Sequence, residues 1–403
     1  MGAQAALIGG TAFIALESLS ALCPGCEVWA KAEHLNPSGT GKDRIALAML
    51  AAAEAEGSLP YGGGGVVVEG SSGSTAIALA PLALAAGHRV VAVLPDDVSD
   101  EKVAELRAFP NVDARLARAS SISSPTHYAN EARRIARDLR AAGERAVCTD
   151  QFENDANWRA HHDGTAREIW DETRGRFSAF VASAGTGGTI AGASHFFKAR
   201  DPGIKVYLAD PQGSSLFSRV RYGVCYATQQ RERVVRRHRY DTIVDGVGLD
   251  RVTANFSRAI IDDALTVSDA DALVMAHYLL RFEGLFLGSS SALNCLAAVR
   301  VANRIRETTT RRVRVVTILC DSGHRYFSRF WNRDFVERRG LAWPPDDAAA
   351  LREASLETAF FFATPDLHHF TGRAESRAPL GQPHHMIAPA VFFLVVVVLE
   401  FVM

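Results

Sequence analysis

Lys42 stands where a lysine can do more than carry charge, between the run NPSGTG (residues 36–41) and the alanine-rich run RIALAMLAAAEAEG. Pro, Ser and Gly set a turn, and the apolar spacing beyond it predicts a helix, so Lys42 falls at a turn-to-helix entry. A helix start is electropositive, which suits a lysine that works as an amine attacking a carbonyl. A solvated lysine would look the same in isolation, and three other segments bear on the choice. AGTGGT (residues 184–189) follows an apolar strand and opens a helix, so its amides and the hydroxyls of Thr186 and Thr189 can converge on a phosphate. It has neither the lysine that follows the glycines of a nucleotide P-loop nor the GxGxxG spacing, so a small phosphate handle fits it better than ATP or NAD. EGSSGST (residues 69–75) is a second strand-to-helix turn whose amides and hydroxyls suit an anion such as an amino-acid carboxylate. GSSSA (residues 288–292) and CDSG (residues 320–323) are further polar turns beside a helix and a strand. Each alone also fits a capped helix or a structural turn. Together they outline one cleft with a reactive lysine, a phosphate cradle and an anion pocket.

The elements that must position these turns alternate. GVVVEG, RVVAVLP and a short run at residues 112–116 read as strands, each followed by a helical pattern, the βαβ rhythm of a parallel sheet. FSAFVASA, IKVYLADP and RVRVVTILC form a second series, with helices at about residues 270–282 and 291–306. Two open α/β units leave a cleft at the carboxyl ends of their strands, where a cofactor binds.

The bulk numbers agree: 403 residues, 48% of them hydrophobic, with 44 Lys and Arg against 45 Asp and Glu, describe a globular protein long enough for two domains. That balance does not ask for nucleic acid, and the arginine-rich stretch at residues 219–240 reads as a solvated loop or subunit contact. Six cysteines are too few for a disulfide scaffold, so a reducing, cytoplasmic setting is expected. Cys23-Pro-Gly-Cys26 has no second pair, and no metal site is expected there. The amino-terminal stretch lacks the basic and long apolar regions of a secretory signal. Residues 386–403 are apolar apart from Glu400 and as a helix would span about 27 Å, against a bilayer core of roughly 30 Å. They read as a membrane anchor, a buried tail or an aberrant end.

Taken in order, KAE (residues 31–33), NPSGTGKDR, EGSSGSTA, DQFENDAN, TAREIW, GTGGTIAG, DGVG, EGLFLGSSSALN and LCDSGHRY resemble the fold-type II pyridoxal-phosphate enzymes, specifically the cysteine synthase and cystathionine β-synthase family. The resemblance runs over about residues 9–341. It implies two α/β domains with pyridoxal 5'-phosphate between them: a larger one of residues 1–44 and 156–341, and a smaller mobile one of residues 45–155. An irregular extension at residues 342–385 and the apolar tail follow. It makes Lys42 the Schiff-base lysine and Gly185, Thr186, Gly187, Gly188 and Thr189 the phosphate loop. Ser290 faces the pyridine nitrogen, and Ser71, Ser72, Thr75 and Gln151 hold the substrate carboxylate. Three positions depart from the pattern: Ser74 replaces the asparagine that bonds the cofactor's ring hydroxyl, and Ala76 and Ala292 replace glycines. The implied reaction is β-replacement through an aminoacrylate, giving cysteine from O-acetylserine and sulfide. The alternatives are a cystathionine β-synthase-like enzyme, a serine or threonine dehydratase, or a degenerate binding scaffold. A homodimer is implied, with a serine acetyltransferase as candidate partner and membrane contact only through the tail.

Overall fold

Valine-rich runs and a chain of glycine-bearing turns give ten strands in the computed structural model, which describes residues 2–118, 120–226 and 242–360. They are β1 (Phe13–Ala15), β2 (Cys26–Lys31), β3 (Val66–Gly70), β4 (Arg89–Pro95), β5 (Val112–Ala117), β6 (Ala146–Cys148), β7 (Ala179–Ser183), β8 (Lys205–Pro211), β9 (Asp263–Val267) and β10 (Val313–Ile318). Two sheets result, one ordered β1-β2-β10-β7-β8-β9 and the other β5-β4-β3-β6. All pairings are parallel except β1 with β2, where Phe13 lies opposite Lys31. The chain thus has two α/β domains with parallel sheets, the larger bearing one antiparallel edge strand. β3 is buried along its whole length, as a parallel strand covered on both faces must be, and hence its unbroken Val-Val-Val run. Both sheets lie in one compact unit.

Helix Ser289–Thr308 runs through the core of the larger domain and is buried from Ser289 to Asn303. Its Arg300 is 1% exposed and spends its donors on Asp271 Oδ2 at 2.8 Å and on the carbonyls of Thr358 and Thr266. Thr358 belongs to helix Ala348–Phe360, so the stretch expected to be irregular contains a helix. Its buried edge is Leu351, Ser355 and Ala359, spaced four apart. Cys23 and Cys26 are buried free thiols of the core, and burial is the main cause that pushes the Cys23 thiol up to about 12. Most of the arginine-rich stretch, residues 227–240, lies outside the described residues.

Membrane association through the tail requires correction. Among the described residues no helix is long and apolar enough to cross a membrane, and residues 386–403 lie outside them.

Candidate active site

Lys42 opens helix Lys42–Ala55, and the turn before it is fixed from both sides. Gly41 N–H donates to Cys320 O at 3.1 Å, Thr40 bridges to Asp321, and Ser38 N–H donates to Asp43 Oδ2 at 2.9 Å. Two residues on, buried Arg44 donates to both Glu33 oxygens at 2.7 and 2.8 Å and to both Glu168 oxygens at 2.6 and 2.8 Å. Burial alone would raise the Glu168 carboxyl, but hydrogen bonds from Arg44, then Lys31, pull it down to about 2. This ionic cluster ties the lysine's helix to β2 and to helix Arg167–Thr173.

The glycine loop after β7 has no room for side chains. A Cβ on Gly185 would fall 2.1 Å from Gly246 O, and one on Gly188 would fall 1.8 Å from Asn157 Oδ1. Gly187 has φ +83° and would place a Cβ 2.6 Å from Phe256 Cα. Thr186 Oγ1 accepts from Asn157 Nδ2 at 3.0 Å, and Thr189 Oγ1 lies 3.2 Å from His161 Nε2. Burial, then the nearby charges of Lys42 and Arg44, holds His161 well below the usual imidazole range, so the ring is neutral. The thirteen-residue helix Gly188–Arg200 begins here, with its first N–H groups unpaired within the helix. Amides at a helix start and two hydroxyls are donors that a phosphate accepts from, so this loop fits the phosphate of pyridoxal phosphate.

In the second loop, Gly73 has φ +115° and starts helix Ser74–Ala85. Thr75 Oγ1 donates to Gln151 Oε1 at 2.6 Å, joining the loop to the end of β6. Lys42, Ser72, Ser74, Thr75, Gln151, Gly185, Thr186, Gly187, Thr189 and Ser290 all line one cavity. Ser71 and Gly188 do not. Ser71 Oγ accepts from Gly73 N–H at 3.0 Å and shapes the turn, while Gly188 packs on Asn157. The cavity also admits residues the sequence reading did not single out, among them Lys102, Asp245, Cys320 and Tyr326. The Ser290 hydroxyl contacts the Cys320 thiol, which burial, then Asp321, pushes up to about 11.

Glu69, at the end of β3, is fully buried, with Oε2 accepting from Thr149 Oγ1 at 2.5 Å. Burial raises its carboxyl to about 8. From about pH 4.5 to about pH 8 the folded chain keeps a proton that the unfolded chain has released, so this group's contribution to stability falls as pH rises through that window. Glu69→Gln is expected to lose less stability than the parent between pH 5.5 and 8 in urea denaturation; equal losses would contradict a neutral Glu69.

Comparison with known proteins follows the same lines. A family model described as pyridoxal-phosphate dependent enzyme matches residues 5–321. "Cysteine synthase 2" of Schizosaccharomyces pombe is 42% identical over 340 residues, 83% of this chain and 85% of that protein. "Cysteine synthase 2" of Emericella nidulans is 45% identical over 339 residues, 80% of this chain and 78% of that protein. Among solved structures, the O-acetylserine dependent cystathionine beta-synthase from Helicobacter pylori superposes with TM-score 0.68 at 26% identity, covering 81% of this chain and 97% of that one.

Proposed function

Since this chain belongs to the pyridoxal-phosphate dependent enzyme family and is an enzyme using that cofactor, we propose that it makes L-cysteine from O-acetylserine and sulfide by β-replacement. The observation that carries this is the shared cavity: the Lys42 amine, the glycine cradle and the Ser72–Thr75 loop open onto one space. Lys42 would hold the cofactor covalently, residues 185–189 its phosphate, Ser290 its ring nitrogen and Ser74 its ring hydroxyl. Bound there, pyridoxal phosphate draws electron density from the amino acid's α-carbon and makes the α-proton acidic.

This chain's residues do the rest. Ser72, Thr75 and Gln151 bind the substrate carboxylate and orient the Cα–H bond toward Lys42. Lys42 Nζ takes the α-proton, the Cβ–O bond breaks with release of acetate, sulfide bonds to Cβ, and Lys42 returns the proton to Cα. Ser290 offers the ring nitrogen a neutral hydroxyl rather than a carboxylate, which limits charge spread into the ring and favours expulsion of the β-group. The domain bearing β3–β6, about residues 45–155, would close over the substrate and exclude water. The resemblance also implies a homodimer and binding of a serine acetyltransferase; sedimentation alone and with that enzyme would reject both if the chain always sediments with a single-chain mass.

Thr75→Val removes the hydroxyl that donates to Gln151. It is expected to raise KM for the amino acid roughly tenfold to a hundredfold with cofactor affinity retained; an unchanged KM would remove Thr75 from the carboxylate site. The reading as a whole is tested by supplying O-acetylserine with sulfide, and serine with homocysteine, in parallel. Cysteine from the first pair is expected, and turnover of the second pair alone would reject it.

A further inference from the structure

We propose that Lys102 is a second anion-binding side chain of this cavity and holds the carboxylate that departs from an O-acyl serine. This rests on the β-replacement reading and adds a residue that receives the leaving group. Lys42 and Lys102 are the two basic side chains lining the cavity among the described residues, and Lys42 is committed to the cofactor and the α-proton. Lys102 is 1% exposed. Its methylene chain packs over the carboxylate loop so closely that a Cβ on Gly73 would fall 2.9 Å from Lys102 Cδ. Its ammonium therefore emerges beside the place where the substrate's carboxylate end is held.

The ammonium's surroundings leave it donors to offer. Asp245 Oδ2 lies 3.3 Å away, a long hydrogen bond, and the ring of Tyr326 lies 4.4 Å below it. Asp245 is also approached by Arg329, Nη2 to Oδ1 at 3.6 Å, so Lys102 does not have this carboxylate to itself. An ammonium has three N–H donors, and among the described residues the Asp245 ion pair and the Tyr326 ring do not occupy all of them, which leaves N–H groups for an anion in the cavity. The helix that carries it, Asp100–Arg107, is pinned to the segment after β10. Ser99 Oγ donates to Arg325 O at 2.8 Å, Arg325 pairs with Glu105 at 3.0 Å, and Ser328 donates to Glu101 at 2.8 Å. In the conformation described, the ammonium is therefore held by packing rather than on a free side chain.

Its role in the bond-breaking step balances without a further reactant. The α-proton passes to Lys42, the Cβ–O electron pair leaves on the ester oxygen, and the acyl group departs as a carboxylate anion. Lys102 keeps its proton and donates N–H bonds that strengthen as negative charge grows on that oxygen. A departing hydroxide would have to take a proton in the same step, whereas a departing carboxylate needs only the hydrogen bonds and charge that this ammonium supplies.

The test uses holoenzyme whose Lys42 linkage has been reduced with borohydride, so that nothing turns over, titrated with carbon-13 acetate and followed by NMR. The parent and Lys102→Arg should bind acetate, and Lys102→Met should bind it at least about tenfold more weakly. Equal acetate affinity in the parent and Lys102→Met would overturn the proposal. A second measurement needs no variant: acetate should inhibit the active parent in competition with O-acetylserine, and acetamide, of the same shape without the charge, should not. Equal inhibition by the two would also overturn it. A parent enzyme that turns over serine but not O-acetylserine would instead count against the cysteine reading, so the two failures are distinct.

Discussion

Replacing Lys42 by alanine is expected to remove cofactor attachment and to lower turnover by about 10³-fold or more, since one amine both anchors the cofactor and moves the α-proton. The fold should survive. Alanine is a good residue for the first turn of a helix, and the Glu33–Arg44–Glu168 cluster that fixes this helix does not involve the Lys42 side chain. Melting should therefore stay within about 1 kcal/mol of the parent. Steady-state assays beside thermal denaturation separate the two effects. Near-normal turnover by the variant would refute the role of Lys42, and collapse of the fold would show that the helix depends on it.

Gly188→Ala carries the second large effect although Gly188 does not line the cavity. The new methyl would meet Asn157 Oδ1 at 1.8 Å, and Asn157 cannot step aside. It is fully buried, with its Nδ2 donating to Gln151 O at 2.7 Å and to Thr186 Oγ1 at 3.0 Å. The strain must pass to Thr186 and Gln151, that is, to the phosphate cradle and the carboxylate pocket together. Pyridoxal phosphate affinity is expected to fall roughly a hundredfold, equivalent to about 3 kcal/mol of strain that the bound state must absorb. Gly143→Ala is the matching control: φ is +88°, but no atom lies within 4 Å of its Cβ position, so it should cost stability of about 1 kcal/mol and leave cofactor binding unchanged. Equilibrium dialysis compares them, and a Gly188→Ala protein that binds like the parent would show that the cradle can relax.

The parts of the site that were legible in the sequence are those where a turn dictates residue type. The glycines at residues 185, 187 and 188 and the hydroxyls at residues 71, 72, 74 and 75 follow from backbone approach and helix starts, and strands such as Val66–Gly70 follow from burial on both faces. Conformation within a turn was not legible. Ser71 and Ser72 are adjacent serines, yet one bonds its own turn and the other faces the cavity. β1 and β2 are not legible because one has three residues and the other carries Glu27 and Lys31 within six residues. Lys102 was hidden most completely. In SDEKVAEL it reads as one more charge on a solvated helix, and only Asp245, 143 residues on, and Tyr326 make it a buried cavity cation. The helix Ala348–Phe360 was hidden because its buried edge is mostly small residues rather than a strong apolar stripe.

The central claim, that Lys42 is the residue to which the cofactor is joined, is tested most directly by reducing the pyridoxal phosphate-loaded protein with borohydride, digesting it and locating the phosphopyridoxyl mass on its peptides. The mass is predicted on the peptide containing Lys42 and nowhere else. Label on Lys102, on another lysine, or on no peptide at all would contradict the account.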